Sequence, residues 1–469
     1  MMSCRPSPAE PLVEPIHWDG SLLELFRRVA RGRHPFLLLS GTAGSGRGRW
    51  TLMGSEPFEV WSATEDRDPF AAIQQMLMAY PTLPAQGLPF AGGLVGYLGY
   101  ECLRHVERVA VRPRAPSDPA DAWFGLYASA LVVDGRTGEG WLVSTGLPEQ
   151  EETRRRARAR QELQRLRDWI GSRHPDSQDS RPLPGALRSS LDRHEYLDAV
   201  QCILDHIRAG DIYQANLTQR FRMDVAEPDP VALLGRLHGA SPAPHAAYLD
   251  TGPWKILSSS PERFLRRSGD QVESRPIKGT AARGATAHAD AASRAALKES
   301  AKDQAENLMI VDLMRNDLSR VCRPGSVQVP ALSVVETYAT LHHLVSTVRG
   351  EIREDCTTED LLRATFPPGS MTGAPKVRAM EILHELEPVS RGPYAGALGY
   401  LSFCGDLDLS VVIRTVLLGQ GEARFHVGGG VVADSSPQAE YEESLLKARA
   451  LLEALGAGAI LPGPTSRKK

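Results

Sequence analysis

The amino-acid sequence predicts a mixed α+β protein folded around one or two cores, and three observations carry that expectation. Short β-type runs, "PFLLLS", "LYASALVVD" and "GWLVS", recur between Gly and Pro turns in the first part of the chain. Leu197, Val200, Ile203, Leu204 and Ile207 recur at helical spacing. The stretch "IYQANLTQRFRMDV" alternates with the period of two of a half-buried strand. A length of 469 residues allows two or three ordinary domains, a number that large sheets sharing one core would reduce. A hydrophobic share of 42% fits a soluble globular chain. With 54 basic and 57 acidic residues, a net charge of −3, there is no overall basic field to suggest nucleic acid as a partner.

Cys4, Cys102, Cys202, Cys322, Cys356 and Cys404 lie far apart, without the close pairs of zinc or redox motifs. They predict scattered reduced thiols in a cytoplasmic protein. The opening "MMSCRPSPAEPLVEP" has no apolar core of a targeting segment, and no run of about 18 apolar residues occurs, so no membrane association is expected.

Taken in order, the chain to about Leu147 reads as a sheet-rich unit. Within it "GTAGSGRGRW", Gly41 to Trp50, nearly spells a phosphate loop, but Arg47 and Gly48 stand where Lys and Ser/Thr are needed, so a flexible hairpin loop is expected. Glu151 to Ile170 forms a charged helix; acidic residues flank its arginines, as on a solvated face. The loop-like "GSRHPDSQDSRPLPG" follows, and the main boundary falls in it, dividing residues 1–185 from 186–460. Asp192 and Glu195 form a capping box for a helix from about 193 to 209, which Gly210 ends. In the following strand Tyr213, Ala215, Leu217, Phe221, Met223 and Val225 share one face, and Gln214, Asn216 and Thr218 the other, which covers either water or a cleft.

Several segments could carry chemistry. The run Leu308 to Val311 implies a largely buried helix, yet Asp303 and Glu306 share a face on it, and buried like charges need a cation. Near the C-terminus Ser436 is an expected N-cap and Pro437 a first helical residue, after which Glu440, Glu443 and Lys447 share a face. Two such helices either present ordinary solvated faces or hold Mg²⁺, a hard ion that takes a few carboxylates and keeps positions open for substrate oxygens. "FPPGSMTGAPKVRAMEIL" sets Ser370, Thr372 and Gly373 before Pro375, where a helix start could meet a carboxylate. Gly428, Gly429 and Gly430 bare the backbone to a ligand. Arg414 lies inside a β-branched run and needs an anionic partner. Each signal alone is weak; together they favour a site for a multiply anionic small molecule.

"SSSPERF", "RPIKGT", "AENLMIVDLMRNDLSRV", "HHLVS", "FPPGSMTGAPKVRAMEI" and "GGGVVADSSPQAEYEESLLKARAL" resemble, in order, the signature segments of the chorismate-utilising enzymes. That family includes the anthranilate, aminodeoxychorismate, isochorismate and salicylate synthases. "GRGRWTLMGSEP" and "PFAGGLVGYLGYE" resemble its less constrained first half, so residues 1–185 correspond to the anthranilate synthase component I-like N-terminal region and 186–460 to the chorismate-binding region. The resemblance implies one intertwined α/β sandwich with large, mostly antiparallel sheets around a central cleft, and a required Mg²⁺.

By position, the resemblance makes Glu306 and Glu443 the metal-binding glutamates, with Asp303 and Glu440 sharing the ion through water. Arg414, Tyr400 and the amides of Gly429 and Gly430 grip the pyruvyl carboxylate of chorismate, and Lys447 lies near the metal. Thr280 joins the substrate-binding set, Thr372 and His343 line the reacting ring, and Glu262 protonates the departing C4 hydroxyl. Water-adding relatives carry a lysine base where Gln214 stands, and an uncharged amide cannot deprotonate water. Anthranilate synthases have alanine where Lys278 stands; lysine there marks the aminodeoxychorismate synthase branch. Lys278 would attack C2 of chorismate, and ammonia would then enter at C4 and expel it. None of the six cysteines sits in the Gly-x-Cys-x-Gly elbow of a glutaminase, so ammonia is expected from a separate glutaminase subunit, component II, and a separate lyase would complete 4-aminobenzoate. Two departures are visible. "GTAARGA" lacks the Arg-Pro-Arg texture common after the Gly-Thr turn, and the segment Gly44 to Arg49 is irregular where the family's tryptophan pocket, lined by Ser40 and Arg49, is expected.

Overall fold

The computed structural model describes residues 7–40, 48–64, 67–85, 87–172, 184–226 and 228–458. Residues 41–47 of the expected hairpin loop, most of the expected boundary loop and Cys4 lie outside them; the other five cysteines are free thiols. No helix among the described residues is long and apolar enough to cross a membrane.

The predicted β-runs become strands Phe36–Ser40, Ser129–Asp134 and Gly140–Ser144, and the charged segment becomes helix Glu152–Gly171. Asp192 and Glu195 close a reciprocal capping box on helix Arg193–Ala209, whose C-cap Gly210 is left-handed at φ 83°. Strands gather into a 12-stranded and a 10-stranded sheet, and the strand pairs within both are antiparallel. Each sheet mixes early and late strands: Phe36–Ser40 pairs with His245–Asp250 in the larger, and Gly93–Leu98 with Ala397–Ser402 in the smaller. The early and late parts of the chain therefore share both sheets.

Three packed layers of apolar side chains hold this together. Phe36, Leu52, Tyr97, Trp123, Tyr127, Trp254 and Leu398 fill the space between the sheets. Leu25, Leu163, Leu233 and Leu451, from four helices, cover the outer face of the larger sheet. Phe70, Ile310, Met314 and Leu361 cover that of the smaller one. The result is a helix–sheet–sheet–helix sandwich, as a protein with two one-sided sheets must adopt to bury both.

Local packing corrects two sequence expectations. Helix Ala301–Ser319 is buried along one face only, through Asn307, Ile310, Val311, Met314 and Leu318, and Leu308 is 48% exposed. Tyr213 precedes the strand Gln214–Val225 and is 68% exposed instead of joining its apolar face.

Candidate active site

Lys278 lies in the strand Ile277–Ala282, which pairs with Leu341–Glu351 through a register shift between Lys278 and Thr280. The bulge turns on Gly279, whose φ of +80° suits glycine; a Cβ there would meet Asp303 of helix Ala301–Ser319 at 2.9 Å. The helix thus approaches the strand beside the lysine. The Lys278 ammonium donates to the Ser370 carbonyl at 3.3 Å. Burial lowers its pKa, against the opposing pull of Glu306 and Glu262, and the charge of Lys447 adds to the lowering.

Glu262 precedes the strand Arg263–Ser268 and is buried. Burial raises its carboxyl to about 7, opposed by Ser370 and by the charge of Lys278, while the Ile277 N–H donates to Oε1 at 3.4 Å. The Ser370 hydroxyl faces this carboxyl at a geometry short of a full hydrogen bond. Ser370 therefore touches the amine through its carbonyl and the acid through its side chain. The sequence places it only in an anion cradle; its link to both groups comes from a short turn, Gly369–Met371, with no periodic signal.

Gln214, Asn216 and Thr218 are buried, so this polar face of the strand does not meet open water. Both polar atoms of the Gln214 amide lack a hydrogen-bond partner among the described residues. A Cβ on Gly430 would fall 2.5 Å from Gln214 Nε2 and 3.4 Å from Lys278 Nζ, so the bare glycine opens the space between them. Gly429 and Gly430 pair with Leu217 and Asn216, while among the described residues the other edge of their strand is paired only from Glu422 to Arg424. One of the two N–H groups thus points away from the pairing and into the open edge.

Ser436 caps helix Pro437–Ala454, with Pro437 in its first turn as expected. A Cβ on Gly429 would lie 3.0 Å from Glu440 Oε2 and 3.8 Å from Glu443 Oε1. Lys447 binds Glu443 at 2.8 Å and the Gly428 carbonyl at 2.9 Å. Its charge, ahead of the opposing effect of burial, lowers the Glu443 pKa. Glu306 is raised by burial, with Asp303 and Glu440 adding like charge and Lys278 and Lys302 opposing.

Among the described residues no three His, Cys, Asp or Glu side chains are close enough to hold a metal ion by themselves. Glu306 and Glu443 nevertheless fit a hard divalent ion by donor chemistry, and the side-chain-free backbone at Gly429 leaves room beside the carboxylates of Glu440 and Glu443.

Arg414 is only partly buried by its neighbours, and its φ is +50°. Its guanidinium donates to Ser241 Oγ at 3.2 Å, and no carboxylate among the described residues pairs with it. Desolvation pulls its pKa down to about 10, and its charge helps burial push His343 down to about 3, leaving that imidazole neutral. His343 Nδ1 lies 2.9 Å from Thr280 Oγ1. Thr372 is buried and donates to the Gly369 carbonyl, while its own carbonyl accepts from the Asn216 N–H. The cradle expected before Pro375 is thus stitched to the Gln214–Val225 strand, with Gly373 and Ala374 pairing to it.

Tyr400 requires a correction. Its ring packs edge-on against Phe90 and lines a cavity of about 460 Å³ between the sheets, beside Arg263 and Arg266, whose lining does not include Lys278. The register of strand Ala397–Ser402, invisible locally, directs it there. Arg49 lines the same cavity, bound to Asp134 and stacked on Trp50, and Ser40 ends a strand that pairs with His245 in its wall.

The profile of a family described as chorismate binding enzyme matches residues 34–453. The chain is 37% identical over 462 residues to aminodeoxychorismate synthase component 1 of Escherichia coli (strain K12), covering 95% of this chain and 98% of that one. It is also 37% identical over 457 residues to anthranilate synthase component 1 of Pseudomonas aeruginosa, covering 92% of each. The crystal structure of anthranilate synthase component I from Streptococcus pneumoniae TIGR4 superposes with a TM-score of 0.75 at 30% identity, over 88% of this chain and 93% of that one. The isochorismate synthase MenF of Escherichia coli, 18% identical, shares the fold with a TM-score of 0.73 over 97% of this chain and 96% of that one. With its two shared sheets and Lys278 and Glu262 set beside the acidic helices, the chain belongs to the chorismate-binding enzyme family.

Proposed function

We propose that this chain is the chorismate-consuming component of an aminodeoxychorismate synthase, making 4-amino-4-deoxychorismate from chorismate and ammonia that a separate glutaminase subunit supplies. The observation that carries the reading is Lys278: an amine on a strand bulge, its pKa lowered by burial, sharing one pocket with a carboxyl held near 7. The activity would reside in the cytoplasm.

Arg414 and the outward N–H of the Gly429–Gly430 pair take the pyruvyl carboxylate. Glu306 and Glu443 would hold Mg²⁺, with Asp303, Glu440 and Lys447 around them; bound there, the ion neutralises the ring carboxylate and favours departure of the C4 hydroxyl. Neutral Lys278 forms a bond from Nζ to C2, both ring double bonds shift (C1=C2 to C1=C6 and C5=C6 to C4=C5), and the C4–O bond breaks as Glu262 delivers its proton, so that water leaves. Ammonia then bonds to C4, both double bonds shift back, and the C2–N bond breaks to release the lysine. The proton lost from the new amine returns to the site. Gln214 offers no base for activating water, which supports amination over hydration.

Similarity to anthranilate synthases makes amination at C2 the competing reading. Product analysis after incubation with chorismate, Mg²⁺ and ammonium separates the two. We expect 4-amino-4-deoxychorismate; anthranilate would overturn the assignment, and unconsumed chorismate would make the chain a non-catalytic relative.

A further inference from the structure

Lys302 stands in the first turn of helix Ala301–Ser319, where the unpaired N–H groups and the helix dipole disfavour a cation. Helix stability does not explain a lysine there. Its ammonium reaches the other acidic helix, 3.7 Å from Glu440 Oε1. Glu440 is 3% exposed and otherwise accepts from Ser435 Oγ at 2.6 Å, so Lys302 brings a cation to a buried side chain of the other helix. The charge of the same ammonium also reaches Glu306 and Glu443. One side chain thus acts on three carboxylates from both helices, and it has no place in the proposed bond-making steps.

We infer that Lys302 is the built-in counter-cation of the two acidic helices, filling the role of the divalent ion in its absence and competing with that ion for the same carboxylates. The inference rests on the proposed metal site. An arriving dication gains the carboxylates but is repelled by the ammonium, so affinity stays low until the carboxylates of chorismate add compensating charge. By linkage, substrate and ion then strengthen each other's binding equally.

Calorimetric titration of substrate-free protein with Mg²⁺ or Mn²⁺ tests this directly. Lys302→Gln should bind the ion roughly two- to fivefold more tightly than the parent, the scale of a partly exposed ion pair. Lys302→Arg, which keeps the charge, should match the parent. In thermal melts Lys302→Gln should lose stability without the ion and regain it when the ion is added, which also reports whether the variant folds. Unchanged or weaker ion binding by Lys302→Gln, with normal binding by the parent, would overturn the role of Lys302 alone. No saturable binding by the parent would overturn the metal site and this inference with it.

Discussion

In the proposed reaction the amine at 278 must lose a proton before it attacks, whereas the carboxyl at 262 must keep one until the C4 hydroxyl leaves. Burial serves both, because it disfavours each charged form: it lowers the lysine and raises the acid to about 7. The signs give a bell-shaped pH profile for kcat/KM. As pH rises through about 7 the protonated acid is lost, and as pH falls below the lysine's lowered pKa the neutral amine is lost. Glu262→Gln should cost about 10²–10⁴-fold and remove the alkaline limb, measured as initial rates of chorismate loss across pH. Ser370→Ala should slow turnover more than it weakens chorismate binding, because it removes the hydroxyl that faces Glu262 and keeps the carbonyl that meets Lys278; an effect confined to KM would contradict that position.

At the scale of elements, the bulge at Gly279 and the arginine at 391 are the sensitive points. Gly279→Ala forces an alanine to φ +80° against Asp303 and should cost about 1–2 kcal/mol, with a larger loss of activity, read from denaturant unfolding and rate assays. Arg391 is buried, bridges Glu387 and donates to the carbonyls of Met371 and Asn216, tying the turn that carries Ser370 to the Gln214–Val225 strand. Arg391→Ala leaves Glu387 buried without its ion partner and should cost about 3–5 kcal/mol by the same unfolding measurement. Helix termini were legible locally: Asp192 with Glu195, Gly210, and Ser436 before Pro437 all cap as their chemistry dictates. What local chemistry could not show was which side of an element meets a neighbour. Leu308 and Tyr213 look apolar-facing in sequence yet stand exposed, and Ser370 gains its second contact only when a turn, a strand and Glu262 converge.

On the scale of the whole molecule, both sheets interleave strands from before and after residue 185, so neither half buries its apolar face alone. Calorimetry should show one cooperative transition, and residues 186–460 expressed alone should lack the near-ultraviolet circular dichroism of a packed core; two separate transitions would contradict the shared architecture. The α+β class and antiparallel sheets were expected, but strand order depends on pairings hundreds of residues apart. That is why Tyr400 turned out to line the cavity between the sheets. The sandwich brings Lys278 from one sheet against Gln214 and Gly430 from the other, and the central claim is that this amine bonds to the substrate. Peptide mass mapping of protein quenched during turnover of chorismate with Mg²⁺ and limiting ammonium tests it most directly. The account predicts a substrate-derived mass on the peptide containing Lys278, absent from Lys278→Ala, which should not aminate chorismate. An unmodified Lys278 in the parent, with full amination by Lys278→Ala, would contradict it.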